Sequence, residues 1–275
     1  MIVVAAAACG RAPLPAHTIP LNLSGKRPTA VLSIEGHGAL DVIFDTGAGA
    51  NLFNRPTAEA LGLQDLGSIN VGSPGSSAPI TGFRTRLGSA KLGDADIADA
   101  AAVVVDLPAS MADVSGVISP NTFSGRLVRF EFAASRAMVV DKTPQSIPTT
   151  QAYSYGGEMG HALPTVEIEI ADLRLTAHVD SGSQFGLSLP LDLAKNLPLT
   201  APPVATQPVH MVNADHAAYT ATIRGTVRIG PLTLSNPDVL FVEGQPMPNV
   251  GFRILKQLTV VLDPAERRDW VLLSQ

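Results

Sequence analysis

Val42-Ile43-Phe44-Asp45-Thr46-Gly47-Ala48 is an apolar run that ends in an acid, a hydroxyl and a glycine. It recurs 135 positions later as Val179-Asp180-Ser181-Gly182-Ser183. The order around each copy repeats as well. A strand-like run comes first (Ala30 to Ile34; Thr165 to Ile170), then a short turn, then the strand that delivers the acid. After the acid come a leucine (Leu52, Leu187), a proline (Pro56, Pro190) and a short helical stretch ending near Leu61-Gly62-Leu63 or Leu197-Pro198-Leu199. Further on, Ile118-Ser119, Phe123, Glu131, Arg136 and Met138 align without a gap on Val250-Gly251, Leu255, Asp263, Arg268 and Trp270. The repeat of about 130 residues is far longer than a solenoid unit and is the size of one small domain.

Composition bounds the rest. The chain has 275 residues, 45% of them hydrophobic and 16% charged, enough for two lobes with cores of their own. A net charge of -5 and the lack of a basic run argue against a nucleic-acid partner; Arg84/Arg86 and Arg267-Arg268 read as solvated strand ends. The 24 glycines and 22 prolines, with few segments of helical period, favour many short strands. The expected fold is therefore all-β. The predicted organisation is a signal-like segment and tether over 1–17, a first lobe over 18–143, a linker over 144–163 and a second lobe over 164–275.

Met1 to Gly10 is a short apolar run ending in small residues and the single cysteine of the chain. It has the look of an export signal, and Ala-Cys9-Gly10 resembles a bacterial lipoprotein site at which Cys9 is lipidated. That reading predicts an exported protein, periplasmic or tethered to a membrane through Cys9. The competing reading is a buried N-terminal strand with an incidental cysteine. One cysteine cannot form a disulfide within the chain.

Strands are predicted at Ile19 to Leu23, Ala30 to Ile34, Ala39 to Phe44, Arg84 to Leu92 and Ala100 to Val105. Asn54 to Leu61 reads as a helix with Pro56 near its start and Gly62 past its end. Ile69 to Val71 and Ile80 flank a Gly/Ser/Pro loop, the pattern of a mobile hairpin. Gly116-Val117-Ile118 leads into a second short helix. Leu127 to Phe132 with Ala137 to Val140 closes the first lobe, and Leu258 to Leu262 with Asp269 to Leu273 closes the second. Asn213-Ala214-Asp215-His216 is the second lobe's candidate hairpin loop.

Two Asp-hydroxyl-Gly loops brought face to face would set Asp45 beside Asp180. Carboxyls that close do not ionise together easily; they share a proton and titrate as a pair. A water between them would be activated by the charged member while the protonated member polarises a carbonyl. Glycine at Gly47 and Gly182 permits close backbone approach, and the hydroxyls of Thr46 and Ser181 can bond across to the partner loop.

At these residues a resemblance becomes specific. Val42 to Gly47 followed by Asn51-Leu52-Phe53 resembles the first active-site segment of pepsin-like aspartic proteases, and Val179 to Ser183 resembles the second. The ensemble is most similar to the bacterial retropepsin-like group with both lobes fused in one chain. The resemblance implies a bilobal fold of two pseudo-two-fold-related, β-barrel-like lobes with a cleft between them. It implies Asp45 and Asp180 as a catalytic dyad, supported by Thr46, Gly47, Ala48, Ser181, Gly182 and Ser183. It also implies substrate-binding flaps at Ser73, Pro74, Gly75 and Ser76 and at Asn213, Ala214, Asp215 and His216. The chain departs from the pattern at Ile118-Ser119, where the family has an apolar-apolar-Gly element like Val250-Gly251. In pepsin-like enzymes the residue after the glycine often carries a hydroxyl that bonds the outer carboxylate oxygen; Ser183 can do so for Asp180, and Ala48 cannot for Asp45. Asp180 is accordingly expected to be the preferentially ionised acid, with a pH optimum less acidic than in pepsins, and Ala48→Ser is expected to move the profile to lower pH.

Other chemistries fit less well. The six histidines show no His-x-x-x-His ligand spacing, so no metal is expected, nor any organic cofactor. Ser181 lacks the Gly-x-Ser-x-Gly elbow of a serine nucleophile. The Gly72 to Ser77 loop has no Gly-Lys-Ser/Thr ending for phosphate. The expected function is an aspartic endopeptidase acting on peptide or unfolded protein, as a monomer with intramolecular lobe pairing. The rivals are an exported peptide-binding module that kept the cleft without turnover, and lobes that pair between chains.

Overall fold

In Thr29–Ile34 the inward Ala30 and Leu32 are buried while Val31 is 48% exposed, the period-2 signature of a half-buried strand. This strand pairs antiparallel with Gly38–Phe44, in the register Ala30↔Val42 and Ile34↔Gly38. Alternation stops at Val42, Ile43 and Phe44, which are all buried. There Gly116–Ile118 runs parallel along its other edge, Ile118 opposite Phe44, and the strand end sits inside the sheet with both faces buried. The second copy repeats the arrangement: Thr165–Ile170 pairs with Leu173–Asp180, and Asn249–Gly251 lies parallel to it with Asp180 opposite Gly251.

The computed structural model describes residues 16–72, 79–108, 111–156, 162–210 and 215–274. Cys9, Ser73, Pro74, Gly75, Ser76, Asn213 and Ala214, on which sequence expectations fell, lie outside the described residues. The chain is all-β with few short helices, and the described residues form two nine-stranded sheets and one of six strands. The first nine-stranded sheet runs Ser68–Val71, Ile80–Leu87, Ala100–Val105, Asn51–Asn54, Gly116–Ile118, Gly38–Phe44, Thr29–Ile34, Ala90–Leu92, Ala95–Ile97. The second runs Val204–His210, Asp215–Thr222, Asp238–Val242, Leu187–Pro190, Asn249–Gly251, Leu173–Asp180, Thr165–Ile170, Thr226–Ile229, Leu232–Ser235. Numbered along the chain within each lobe, the strands follow the same order in both sheets. The internal repeat read from the sequence is therefore a repeat of topology.

The two predicted closing hairpins do not end separate lobes; they join. Arg126–Glu131 pairs with Leu258–Asp263 in the middle of the six-stranded sheet, in the register Val128↔Leu262 and Glu131↔Thr259. The ungapped alignment of the two repeats makes Val261 the copy of Arg129, and these two residues face each other, so the pseudo-two-fold axis passes between them. A ladder of aromatic rings crosses the same plane. Phe44 and Phe130 stand 4.6 Å apart, Phe130 and Phe132 5.5 Å, and Phe132 and Phe252 5.7 Å, which links the first acid's strand to the helix behind the second acid's loop. Each such contact is worth about 0.5–1.5 kcal/mol beyond the area it buries.

Several sequence expectations shift. The first strand is Ala16–Pro20 rather than Ile19 to Leu23, so Ala16 and His17 belong to the six-stranded sheet and not to a tether. The expected strand from Arg84 to Leu92 breaks at Gly88-Ser89 into Ile80–Leu87 and Ala90–Leu92, which leave for different neighbours. The stretch read as a linker supplies the edge strand Tyr153–Ser154 and packs Ile147 against Leu127, Val261 and Trp270. Helix Arg55–Ala60 has the expected punctuation: Asn54 Oδ1 accepts from Thr57 N at 2.8 Å, Pro56 sits in the first turn, and Gly62 follows at φ +63°.

Candidate active site

Both acids end strands flanked by parallel neighbours, and the loops after them meet at the pseudo-two-fold axis. Thr46 N donates to Ser181 Oγ at 3.0 Å, and Ser181 N donates to Thr46 Oγ1 at 2.9 Å. The hydroxyls in turn donate to the partner strands, Thr46 Oγ1 to the Val179 carbonyl at 2.8 Å and Ser181 Oγ to the Phe44 carbonyl at 3.4 Å. Thr46 and Ser181 are 1% and 0% exposed, so water cannot replace these four bonds. Losing one hydroxyl leaves a buried amide without an acceptor, a cost of about 1–3 kcal/mol.

The carboxyls are held over each other's glycine. Asp45 Oδ1 accepts from its own loop, Gly47 N at 2.8 Å, and from the opposite loop, Gly182 N at 2.8 Å. A methyl group built on Gly47 would stand 2.8 Å from Asp180 Cγ, and one on Gly182 would stand 2.6 Å from Asp45 Cγ. Real contacts of that kind do not occur, so glycine is required at both positions for close approach rather than for backbone freedom.

From here the symmetry fails. Asp180 Oδ1 accepts from Ser183 N at 3.0 Å, and Asp180 Oδ2 accepts from Asn249 Nδ2 at 2.7 Å. The residue aligned with Asn249 in the first lobe is Val117, which is apolar and packs on Ile43 and Val114. Enclosure at the cleft floor, and then the charge of Asp180, push the Asp45 carboxyl up to about 7 against the opposing pull of its two backbone N–H donors. The pair is electrostatically uneven: one acid holds its proton into the neutral range, and the other is given a side-chain amide that favours a negative oxygen.

The bond expected from the Ser183 hydroxyl to Asp180 comes instead from the Ser183 amide. Ser183 Oγ lies over Gly251, 2.9 Å from where a Cβ on that glycine would sit. The first lobe inverts the arrangement. Ser119 replaces the glycine, and its Oγ donates to the Ala48 carbonyl at 2.6 Å. Each lobe thus carries one hydroxyl in this contact, on the loop in the second lobe and on the supporting strand in the first. This accounts for the departure at Ile118-Ser119 and for Ala48 together.

The acids form the floor of a cavity of about 710 Å³. Leu52, Met111 and Val117 line it from the first lobe, and Phe185, Leu240 and Val242 from the second. The described ends of both expected flap hairpins reach it, Val71 and Gly72 on one side and Pro208 and Val209 on the other. Asp215 and His216 do not line it; they begin Asp215–Thr222, and His216 Nδ1 is 2.9 Å from the Glu243 carbonyl. Two polar lining residues that touch the Asp loops escaped the sequence reading: Arg27 Nε donates to the Gly182 carbonyl at 2.5 Å, and Asn249 holds Asp180. His178, 6% exposed, is a strand residue two positions before Asp180 and lines the cavity too. A signal existed for Arg27 and Asn249, since each is polar where the other repeat has an apolar residue, Leu163 and Val117. Among the described residues no three His, Cys, Asp or Glu side chains converge as metal ligands.

No curated protein sequence matches the chain. A family model described as aspartyl protease matches twice, over residues 30–120 and 166–252, once for each nine-stranded sheet with its Asp loop.

Proposed function

The chain belongs to the aspartyl protease family, and from that premise we propose that it is an endopeptidase with Asp45 and Asp180 as its catalytic dyad. The observation that carries this reading is the pair of carboxyls held over each other's glycine by cross-bonded loops. In the resting site Asp45 keeps the shared proton and Asp180 the charge, stabilised by Asn249. A water between them loses a proton to Asp180 as its oxygen attacks the scissile carbonyl carbon, and Asp45 gives its proton to the carbonyl oxygen. The resulting tetrahedral diol collapses as the C–N bond breaks: Asp180 gives its proton to the amine nitrogen and one diol hydroxyl returns its proton to Asp45, which leaves one proton on the dyad for the next cycle.

Thr46 and Ser181 lock the loops, and Gly47 and Gly182 admit the opposing carboxyls. The hairpins containing Ser73 to Ser76 and Asn213 to Ala214 act as flaps over an extended peptide in the apolar cleft. In this reading the protein is exported, tethered through Cys9, and complete as a monomer, because one chain supplies both acids.

A peptide-library cleavage assay tests the proposal. Wild type is expected to cut internal peptide bonds, and Asp45→Asn and Asp180→Asn each to abolish cutting. Cleavage that survives both changes excludes the dyad, and peptide binding without cleavage by wild type favours a binding module.

A further inference from the structure

Thr29 and Thr165 begin matching strands, and a proline precedes each: the Pro28 carbonyl accepts from Phe44 N at 3.2 Å, and the Pro164 carbonyl from Val179 N at 2.9 Å. The residue before each proline reaches the opposite lobe's Asp loop. In the second lobe it is Leu163, whose Cδ2 lies 3.9 Å from where a Cβ on Gly49 would stand. In the first it is Arg27, half-buried, whose Nε donates to the Gly182 carbonyl at 2.5 Å. Both line the cavity.

The Gly182 carbonyl belongs to the same peptide unit as the Ser183 amide, and Ser183 N donates to Asp180 Oδ1 at 3.0 Å. A cation on the oxygen of a peptide polarises it and makes the N–H at its other end a stronger donor, so bonds in line reinforce each other. Arg27 and Asp180 thus hold the two ends of one planar amide. Gly182 also gives its own N–H to Asp45 Oδ1 at 2.8 Å, so the guanidinium pins the turn from which both acids are held. The first lobe shows the same turn without the cation. There the aligned amide, Ala48 N, donates to the main-chain carbonyl of Asp45 at 3.2 Å. Ser183 N makes the matching main-chain contact at 3.2 Å and adds the carboxylate.

We propose that Arg27 is a positioning residue for the dyad that acts between the lobes through the Gly182–Ser183 peptide, strengthening the Ser183 N–H bond to Asp180 and holding Gly182 N on Asp45. The proposal rests on the reading of Asp180 as the charged member of the pair. The positive charge of Arg27 also works on Asp45, opposing in small part the enclosure that pushes that carboxyl up. The other ionisable groups on the cavity wall, among the described residues, are His178, Tyr155 and Arg267. Burial pushes the His178 ring toward neutrality and holds the Tyr155 phenol protonated. Arg267 is exposed and meets Tyr155 through its main-chain carbonyl, whereas Arg27 bonds an Asp loop with its side chain.

The test is ¹H–¹⁵N and carboxyl ¹³C NMR of the full chain with Arg27→Leu, which gives the first lobe the residue of the second. The Ser183 amide proton is expected to move upfield as its bond to Asp180 weakens, and Asp45 to release its proton at higher pH than in wild type. A Ser183 resonance that stays in place, or an unmoved Asp45 midpoint, overturns the proposal. Thermal unfolding checks that the variant is folded. If it is not, Arg27→Gln carries the test, since it drops the charge and keeps an amide donor: the Asp45 midpoint is expected to rise, and a wild-type midpoint overturns the proposal. In activity, Arg27→Leu is expected to lower kcat on the order of fivefold. Both limbs of the pH–rate profile are expected to move to higher pH, because Arg27 serves both acids. A lower kcat with both limbs in place would make Arg27 merely structural and overturn the proposal. The NMR arm needs no turnover. The wild-type titration reports which acid holds the proton, and the difference between wild type and Arg27→Leu reports the link, so the two readings fail separately.

Discussion

The loop after Asp45 and the loop after Asp180 share a strand, a hydroxyl lock and a glycine, yet their surroundings differ at every polar choice. Asp45 takes two backbone N–H donors and no side-chain donor, with the apolar Val117 and Ile43 behind its loop. Asp180 takes one backbone donor and one side-chain amide, with His178 and Asn249 on the same wall. The lesson is that the hydrogen bonds that hold the loops are symmetric, while the groups that decide protonation are not. Duplication preserved the scaffold, and divergence at four positions, 43/178, 48/183, 117/249 and 119/251, separated the roles of the acids.

The comparison breaks first at the glycines. Gly182→Ala sets a methyl group against the Asp45 carboxyl, so it is expected to abolish cleavage, with a loss on the order of 10³-fold or more, as for removal of a catalytic group. Gly47→Ala is expected to do the same from the other side. A variant of either kind that keeps near-normal kcat would mean that the carboxyls are not pressed together as described.

A second difference between the repeats lies under the sheet. Asp269 is fully buried where the first lobe has Ala137; its Oδ1 accepts from Thr165 N at 3.1 Å, and its Oδ2 has no partner. Burial pushes this carboxyl up to about 8. The folded state therefore binds a proton that the unfolded chain, ionising near the ordinary carboxylate value of about 4, does not. The stabilisation is fully present below that value and is lost as pH rises toward about 8. The loss is on the order of 5 kcal/mol across the window. Thermal melts from pH 4 to pH 8 are expected to show falling stability in wild type and a much flatter curve in Asp269→Asn; equal slopes would contradict the assignment.

Asn249→Val gives the second lobe the residue of the first. Loss of a hydrogen bond to a charged oxygen, worth about 1.5–3 kcal/mol, is expected to lower kcat by about ten- to a hundredfold. The acid limb of the pH–rate profile is expected to move to higher pH, since the dyad anion loses its side-chain donor. The smallest effect belongs to Ala48→Ser. The structure reverses the expectation from sequence here: the equivalent hydroxyl of Ser183 rests on Gly251, not on its carboxylate, and Ser119 already fills that space in the first lobe. The profile is expected to stay within a few tenths of a pH unit of wild type. A clear shift to lower pH would restore the original reading of Ala48.

The Asp loops were legible in the sequence because what they do is local: an apolar strand, an acid, a hydroxyl and a glycine within seven residues. The strands of both repeats were legible for the same reason, through alternation at Ala30 to Ile34 and its loss at Val42 to Phe44. What was not legible depends on which strand lies beside which. No periodicity states that Val128 faces Leu262, so the two closing hairpins read as ends of lobes when they are the middle of a shared sheet. Asn249 reaches Asp180 only because the parallel register puts it opposite His178, two residues from the acid. In sequence the nearest partner for the Ser183 hydroxyl is its own loop's carboxylate, and only the fold shows that Gly251, without a side chain, offers it other space.

In the proposed mechanism Asp45 holds the proton of the pair and Asp180 the charge. The most direct measurement is a ¹³C NMR titration of the carboxyl carbons with Asp45 and Asp180 assigned through their Asn variants. The Asp45 carboxyl is expected to stay protonated through weakly acidic pH and to release its proton near pH 7. An Asp45 already ionised at pH 5, with the shared proton on Asp180, would contradict it.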